Sequence, residues 1–208
     1  MKRTSAAALR NLAPLTAALR DVLPASGRVL ELGSGTGEHV VSLARAFPAL
    51  VFQPSDPDPE ARVSIAAWSR DAGLPNLLAP LDLDLRVATW LGQRADAVLC
   101  VNVLHVAPRG CLEALCAGAA GILPPGGLLV VAGPFTRRGV ALQGRLARFD
   151  AELRAADAAL GVREVEALAG AARLHALAWQ SERPLPAEGD LLLVLRKVRA
   201  GPSGSPAP

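Results

Sequence analysis

Tyrosine is absent from the 208 residues, and Trp and Phe together make up only 3% of them. A core without large rings has to be assembled from Leu, Val and Ala, and nucleic-acid bases would find few rings to stack on. Cysteine is nearly as scarce: Cys100, Cys111 and Cys116 form an odd set with no CxxC pair. Such spacing offers neither a metal motif nor a disulfide framework and suits a reducing compartment. Cys100, inside an apolar run, reads as a small buried hydrophobe. No apolar run approaches the ~18 residues of a membrane span. The N-terminal stretch "MKRTSAAALRNLAPL" is broken by Asn11 and Pro14, where a signal peptide needs a continuous apolar core. Basic tracts are missing too. Lys and Arg number 22 against 19 Asp and Glu, and the densest cluster is Arg196, Lys197 and Arg199. These absences lead to the expectation of a soluble, cytoplasmic protein with no membrane and no nucleic acid among its partners.

Apolar residues make up 51% of the chain, and the length suits one domain with a proper core. The expected domain covers residues 1–200. It begins with a helix at about 5–23, which Pro14 limits or kinks, and Leu9, Leu12, Leu15, Leu19 and Val22 lie along one side. The tail "GPSGSPAP", 201–208, can bury nothing and is expected to be disordered. Between these ends short apolar runs alternate with helical stretches. Strands are expected at Arg28–Leu32, Val51–Pro54, Leu78–Asp82, Ala97–Val101, Gly127–Ala132 and Leu191–Leu195. Helices are expected at Glu38–Ala46, Pro59–Ala72, Pro108–Gly121, Leu142–Asp157 and Glu164–His175. Uniformly apolar strands such as "AVLCV" and "LLVVA" imply burial on both faces. The fold class that follows is α/β: a Rossmann-like, doubly wound, mostly parallel sheet with helices on both faces. Apolar stripes on the helices are accounted for by that core and leave the oligomeric state open.

In "RVLELGSGTGEH" the first strand runs straight into Gly33, and a helix starts near Glu38. Ligands in open α/β sheets sit against such a turn. A dinucleotide fingerprint would place its third glycine at Glu38, where an anion opposes a pyrophosphate, and a P-loop would need Gly-Lys-Ser/Thr. The pattern that fits is E-x-G-x-G-x-G, and it resembles the first motif of class I S-adenosylmethionine-dependent methyltransferases. That resemblance implies a loop, Gly33, Ser34, Gly35 and Gly37, around the amino-acid end of S-adenosylmethionine. The cationic end of the cofactor favours a nearby acid, Glu31.

Further segments follow in order. "VFQPSDPDPE" carries Asp56 just past the second strand, where an acid can accept both ribose hydroxyls; Asp58 is better suited to capping the next helix. "APLDLDL" offers Asp82 and Asp84, of which Asp84 at the strand's exit is the candidate for adenine. "ADAVLCVNVLHV" ends its strand in Asn102, which could hold the cofactor or the acceptor, and His105. Together with "LPPGGLLVVAGPF" and "RFDAELRAADAALGVRE", these stretches resemble the family DUF938 over about residues 5 to 198. Two departures lie in the C-terminal third, which helps to shape the substrate pocket in this fold. Leu160-Gly161 stands where that family usually has Trp-Gly, and "PAEGDLLLV" replaces a paired Asn.

Methyl transfer from a sulfonium needs alignment and often a proton acceptor rather than a fixed catalytic set. His105 is the candidate base, with hydrogen bonding to the next helix as its alternative role. His39 either touches cofactor or substrate or packs. His175, late in its helix, reads as a surface residue. Asp150 either lines the substrate pocket or pairs with Arg154 one turn on. No Asp/Asn-Pro-Pro-aromatic run follows the fourth strand, and Cys100 lies inside that strand, so nucleic-acid base methylation is disfavoured. The expected function is S-adenosylmethionine-dependent methylation of a small-molecule acceptor at oxygen or nitrogen. The alternatives are a non-catalytic binding module on this fold and a nicotinamide-dependent oxidoreductase.

Overall fold

A computed structural model of the chain describes residues 1–199 except 88, 89 and 91. The expected tail at 201–208 lies outside the described residues. Helix α1 (Ala6–Leu19) is capped by Ser5, whose hydroxyl accepts from Ala8 N, and it continues through Pro14. It ends before the expected residue 23; Leu9 is exposed, whereas Leu15 and Leu19 are fully buried. Next come β1 (Gly27–Leu32), α2 (Glu38–Ala46), β2 (Leu50–Ser55) and α3 (Pro59–Ala72). Asp58 caps α3 with Pro59 at the first helical position, where its missing N–H costs nothing.

The strand expected at Leu78–Asp82 does not form. The segment runs parallel beside β2 but makes only two isolated bridges, Phe52 to Leu77 and Ser55 to Leu81. Pro80 has no N–H to give the ladder, and Pro54 opposite has none to return. β3 (Ala97–Val101) leads into a short 3-10 turn, Leu104–Val106, and then α4 (Cys111–Ile122), β4 (Leu128–Thr136) and α5 (Gly144–Ala156). The two-residue β5 (Arg163–Glu164), α6 (Val165–Leu174), β6 (Leu177–Pro184) and β7 (Asp190–Lys197) complete the chain. β6 is an unexpected strand. Its sequence, "LAWQSERP", is largely exposed along its length and has no apolar alternation for a sequence pattern to detect.

The sheet order is β2-β1-β3-β4-β7-β6, with β5 beside β4. The first four strands are parallel, and β7 is antiparallel to both of its neighbours. The expected doubly wound α/β class is the one observed. Alternate residues serve two cores: Ala97, Leu99 and Val101 of β3 face Leu15, Val40, Leu43 and Ile65. Val98 and Cys100 face Leu115, Cys116 and Leu168 on the other side. The order reverses between β1 and β3, so their carboxyl ends open the crevice in which such sheets bind ligands. Among the described residues no helix is long and apolar enough to cross a membrane.

Candidate active site

The glycine loop leaves β1 with Gly33, Gly35 and Gly37 all at positive φ (64°, 56° and 96°). Their surroundings differ. A Cβ on Gly33 would lie 2.6 Å from Val103 Cγ2, and one on Gly37 would lie 2.9 Å from the Cα of Ile65. A Cβ on Gly35 would meet nothing within 4 Å. The outer glycines are therefore required by packing, and the central one faces open space.

Register explains what holds the loop. Leu32 pairs with Ser55, so the exits of β1 and β2 lie side by side. Ser34 N donates to Ser55 O at 2.9 Å, and Gly35 N donates to Asp56 Oδ2 at 2.8 Å. Asp56 Oδ1 accepts from Asp58 N, which leaves each carboxylate oxygen one lone pair. Behind the loop, Glu31 is buried with Oε2 unpartnered, and desolvation pushes its pKa up to about 7 against the opposing hydroxyl of Ser34.

A cleft of about 630 Å³ opens in front of Gly35. One wall is the loop, with Ser34 and Thr36, and His39 in the first turn of α2. His39 Nε2 donates to Ala8 O at 3.1 Å, since a carbonyl can only accept; burial holds its pKa below the ordinary value. α1 roofs this end with Ser5, Ala8, Arg10 and Asn11. Its start is tied down by Glu38, whose Oε2 accepts from Ser5 N and from Thr36 Oγ1.

Asn102 leaves β3 at φ 56°, a conformation Asn tolerates better than most side chains, and lines the cleft beside His105 and Val106. The His105 ring meets Phe149 of α5 edge-on, with centroids 5.3 Å apart. Burial, reinforced by the nearby Arg163 guanidinium, lowers the His105 pKa to about 4, so its ring is neutral at pH 7. The His105 turn is gripped from behind. Gly161 N donates to His105 O at 2.9 Å, and Arg163 donates to Leu104 O and Ala107 O. The far end is closed by Arg145, Leu146 and Phe149 of α5, by Pro134, and by Ala187, Glu188 and Asp190 of the β6–β7 turn.

Thus the structure brings Gly33, Ser34, Gly35, His39, Asn102 and His105 onto one cleft, with Glu31, Gly37 and Asp56 directly behind it. Asp84 and Asp150 are elsewhere. Asp84 is clasped by the Arg86 guanidinium, at 2.6 Å from Nη2, which holds its pKa below the usual carboxylate range. Asp82 is paired to Arg62 at 3.1 Å. Asp150 does not line the cleft; it accepts from Arg154 Nε at 2.6 Å and from Val162 N at 2.7 Å, and so braces the segment that grips the His105 turn. His175 is half-buried with an unpartnered Nε2, not a free surface residue. Arg10, Asn11, Phe149, Glu188 and Asp190 carried no site signal of their own in the sequence, although the "PAEGDLLLV" departure marked the stretch to which two of them belong.

The strand order and the glycine loop at the β1–β3 crevice define a protein with the class I methyltransferase fold. Solved structures bear this out. An O-methyltransferase family protein from Burkholderia thailandensis superposes with a TM-score of 0.78 at 22% identity, over 94% of this chain and 58% of that one. CalO1, a methyltransferase in calicheamicin biosynthesis in its SAH-bound form, gives 0.74 at 16% identity, over 93% and 54%. The chain belongs to the family described as "Protein of unknown function (DUF938)", which matches residues 2–197. It is also 35% identical over 118 residues to ribosomal RNA small subunit methyltransferase G of Acidothermus cellulolyticus (strain ATCC 43068 / DSM 8971 / 11B), covering 55% of this chain and 47% of that protein. The chain thus spans about half the length of that curated relative.

Proposed function

We propose that the protein is an S-adenosylmethionine-dependent methyltransferase acting at an oxygen or nitrogen of a small-molecule acceptor. The observation that carries this reading is Gly35: a left-handed glycine facing open cleft between two glycines that face protein. The rest of the site fits the same cofactor. Glu31 behind the loop would supply negative charge to the cationic end, Arg10 and Asn11 would donate to its carboxylate, and Asp56 keeps lone pairs that would accept from ribose hydroxyls.

When bound, this cofactor would supply an electrophilic methyl group for the acceptor's lone pair, its sulfonium keeping the C–S electron pair and leaving as a neutral thioether. His105 takes the proton the acceptor sheds. A pKa near 4 makes it a weak base, but an O–H or N–H turns strongly acidic as its lone pair enters the new bond, so a weak neutral base suffices. Phe149 and the Arg163 grip hold the ring in place, and the roof formed by α1 limits access of water.

The test is calorimetric titration of the purified protein with S-adenosylmethionine and S-adenosylhomocysteine, with NADH as control. Micromolar binding of the first two and none of NADH is expected, with Asp56→Ala weakening both by more than about tenfold. No uptake of either cofactor by folded, ligand-free protein would refute the reading.

A further inference from the structure

At the far end of the cleft, Asp190 presents a carboxylate with no hydrogen bond or ion pair among the described residues. Asp190 is the first residue of β7, in register with Pro134 at the end of β4. Its backbone is fixed on three sides: Asp190 N donates to Ala187 O, Leu185 N to Asp190 O, and Phe135 N to Gly189 O. Gly189 beside it is at φ 78°, and a Cβ there would overlap Leu146 of α5. The turn is therefore rigid, and the direction of the Asp190 side chain is set by packing. That side chain lines the cleft at only 9% exposure, and its carboxylate makes no hydrogen bond or ion pair among the described residues. Arg145, whose charge acts on Asp190, is exposed at the rim and lies 4.0 Å from Glu188. Burial raises the Asp190 pKa against the pull of Arg145, as expected of a carboxylate waiting for a donor.

A carboxylate partly withdrawn from water, with no donor from the described residues, gains from a ligand that supplies donors and positive charge. An ammonium brings three donors and the compensating charge, whereas a hydroxyl brings one donor and no charge. Pro134 beside Asp190, and Leu146, Phe149 and Val106 lining the same cleft, offer apolar surface to the rest of the ligand. The geometry points to Asp190 as the group that selects the acceptor, and to acceptors that are small amphipathic amines: an aromatic or aliphatic body carrying a protonated nitrogen that seats on this carboxylate and, elsewhere on the body, the hydroxyl or second nitrogen whose lone pair takes the methyl group. This rests on the methyltransferase reading above and adds the acceptor class to it.

The probes are matched pairs that differ by the amine: tyramine against para-cresol, tryptamine against skatole, and hexylamine against hexanol. They are titrated calorimetrically at neutral pH into protein saturated with S-adenosylhomocysteine. In the wild type at least one amine should bind roughly tenfold or more tightly than its partner, the size of a charge-assisted hydrogen bond. In Asp190→Asn the two members of the pair should converge to within about threefold, while affinity for S-adenosylhomocysteine is unchanged. The wild-type comparison stands even if the variant folds poorly. If S-adenosylhomocysteine binds but the amines show no advantage, or none of the probes binds, the inference falls while the methyltransferase reading survives. If S-adenosylhomocysteine itself does not bind, both fall.

Discussion

Glu31 carries the sharpest conflict between stability and use at the level of single residues. In the folded chain its carboxyl keeps a proton up to about pH 7, against an ordinary value of 4.5. Its contribution to stability is therefore intact below pH 4.5 and is lost as pH rises through 7, by about 3 kcal/mol at most. Glu31→Gln is expected to raise the melting temperature at about pH 8 and to leave it unchanged near pH 4, read by thermal unfolding across that range. The same change should weaken S-adenosylhomocysteine binding and flatten its rise between about pH 5.5 and 7.5, because a bound ammonium needs the ionised form. A variant neither stabilised nor impaired would show that Glu31 is a plain core residue. His105 poses the opposite case. Burial and Arg163 keep it neutral at pH 7, so the proposed base is in its proton-accepting form throughout the neutral range.

Among the local elements, the glycine loop separates folding from binding within five residues. Gly37→Ala drives a methyl into the backbone of α3 at Ile65, which cannot yield without moving the helix. Gly35→Ala meets no protein atom and pays only for a left-handed backbone, ~1–2 kcal/mol. Gly37→Ala is therefore expected to lose markedly more stability in denaturant unfolding than Gly35→Ala. Gly35→Ala should instead lose S-adenosylhomocysteine affinity by more than about tenfold while remaining folded. Equal effects of the two on both readouts would remove the distinction on which the cofactor assignment stands. The start of the chain belongs to the same site. Arg3 N donates to Ser64 Oγ, Trp68 Nε1 to Arg3 O, and Ser5 N to Glu38, so the first residues are strapped across α3 and the loop.

For the molecule as a whole, the proposed small-molecule acceptor competes with RNA, because the relative from Acidothermus cellulolyticus is a ribosomal RNA methyltransferase. Charge discriminates between the two. Basic and acidic residues number 22 and 19, are interspersed, and most of the ion pairs have an exposed partner. Such a surface releases few counterions on meeting a phosphate backbone. A fluorescence titration with a short structured RNA is expected to show no saturable binding at physiological salt. Tight binding that weakens steeply with added salt would overturn the small-molecule reading and redirect the search for an acceptor.

The amino-acid sequence by itself determined the α/β class, the strand that feeds the glycine loop, the cap at Asp58 and the E-x-G-x-G-x-G spacing. Each of these is set by neighbours in the chain: apolar runs, a proline after an acid, glycines where a turn needs positive φ. Tertiary structure decided the rest. Which glycine faces the open cleft depends on Val103 and Ile65, tens of residues away. Asp84 and Asp150 are engaged by Arg86 and Arg154, two and four residues on, yet only the fold shows that neither then lines the cleft. Pro80 and Pro54 cancel a strand because the fold sets them side by side. Asp190 meets His105 and Phe149 across one cleft only because an antiparallel β7 returns beside β4, and no local pattern records contacts made over such separations.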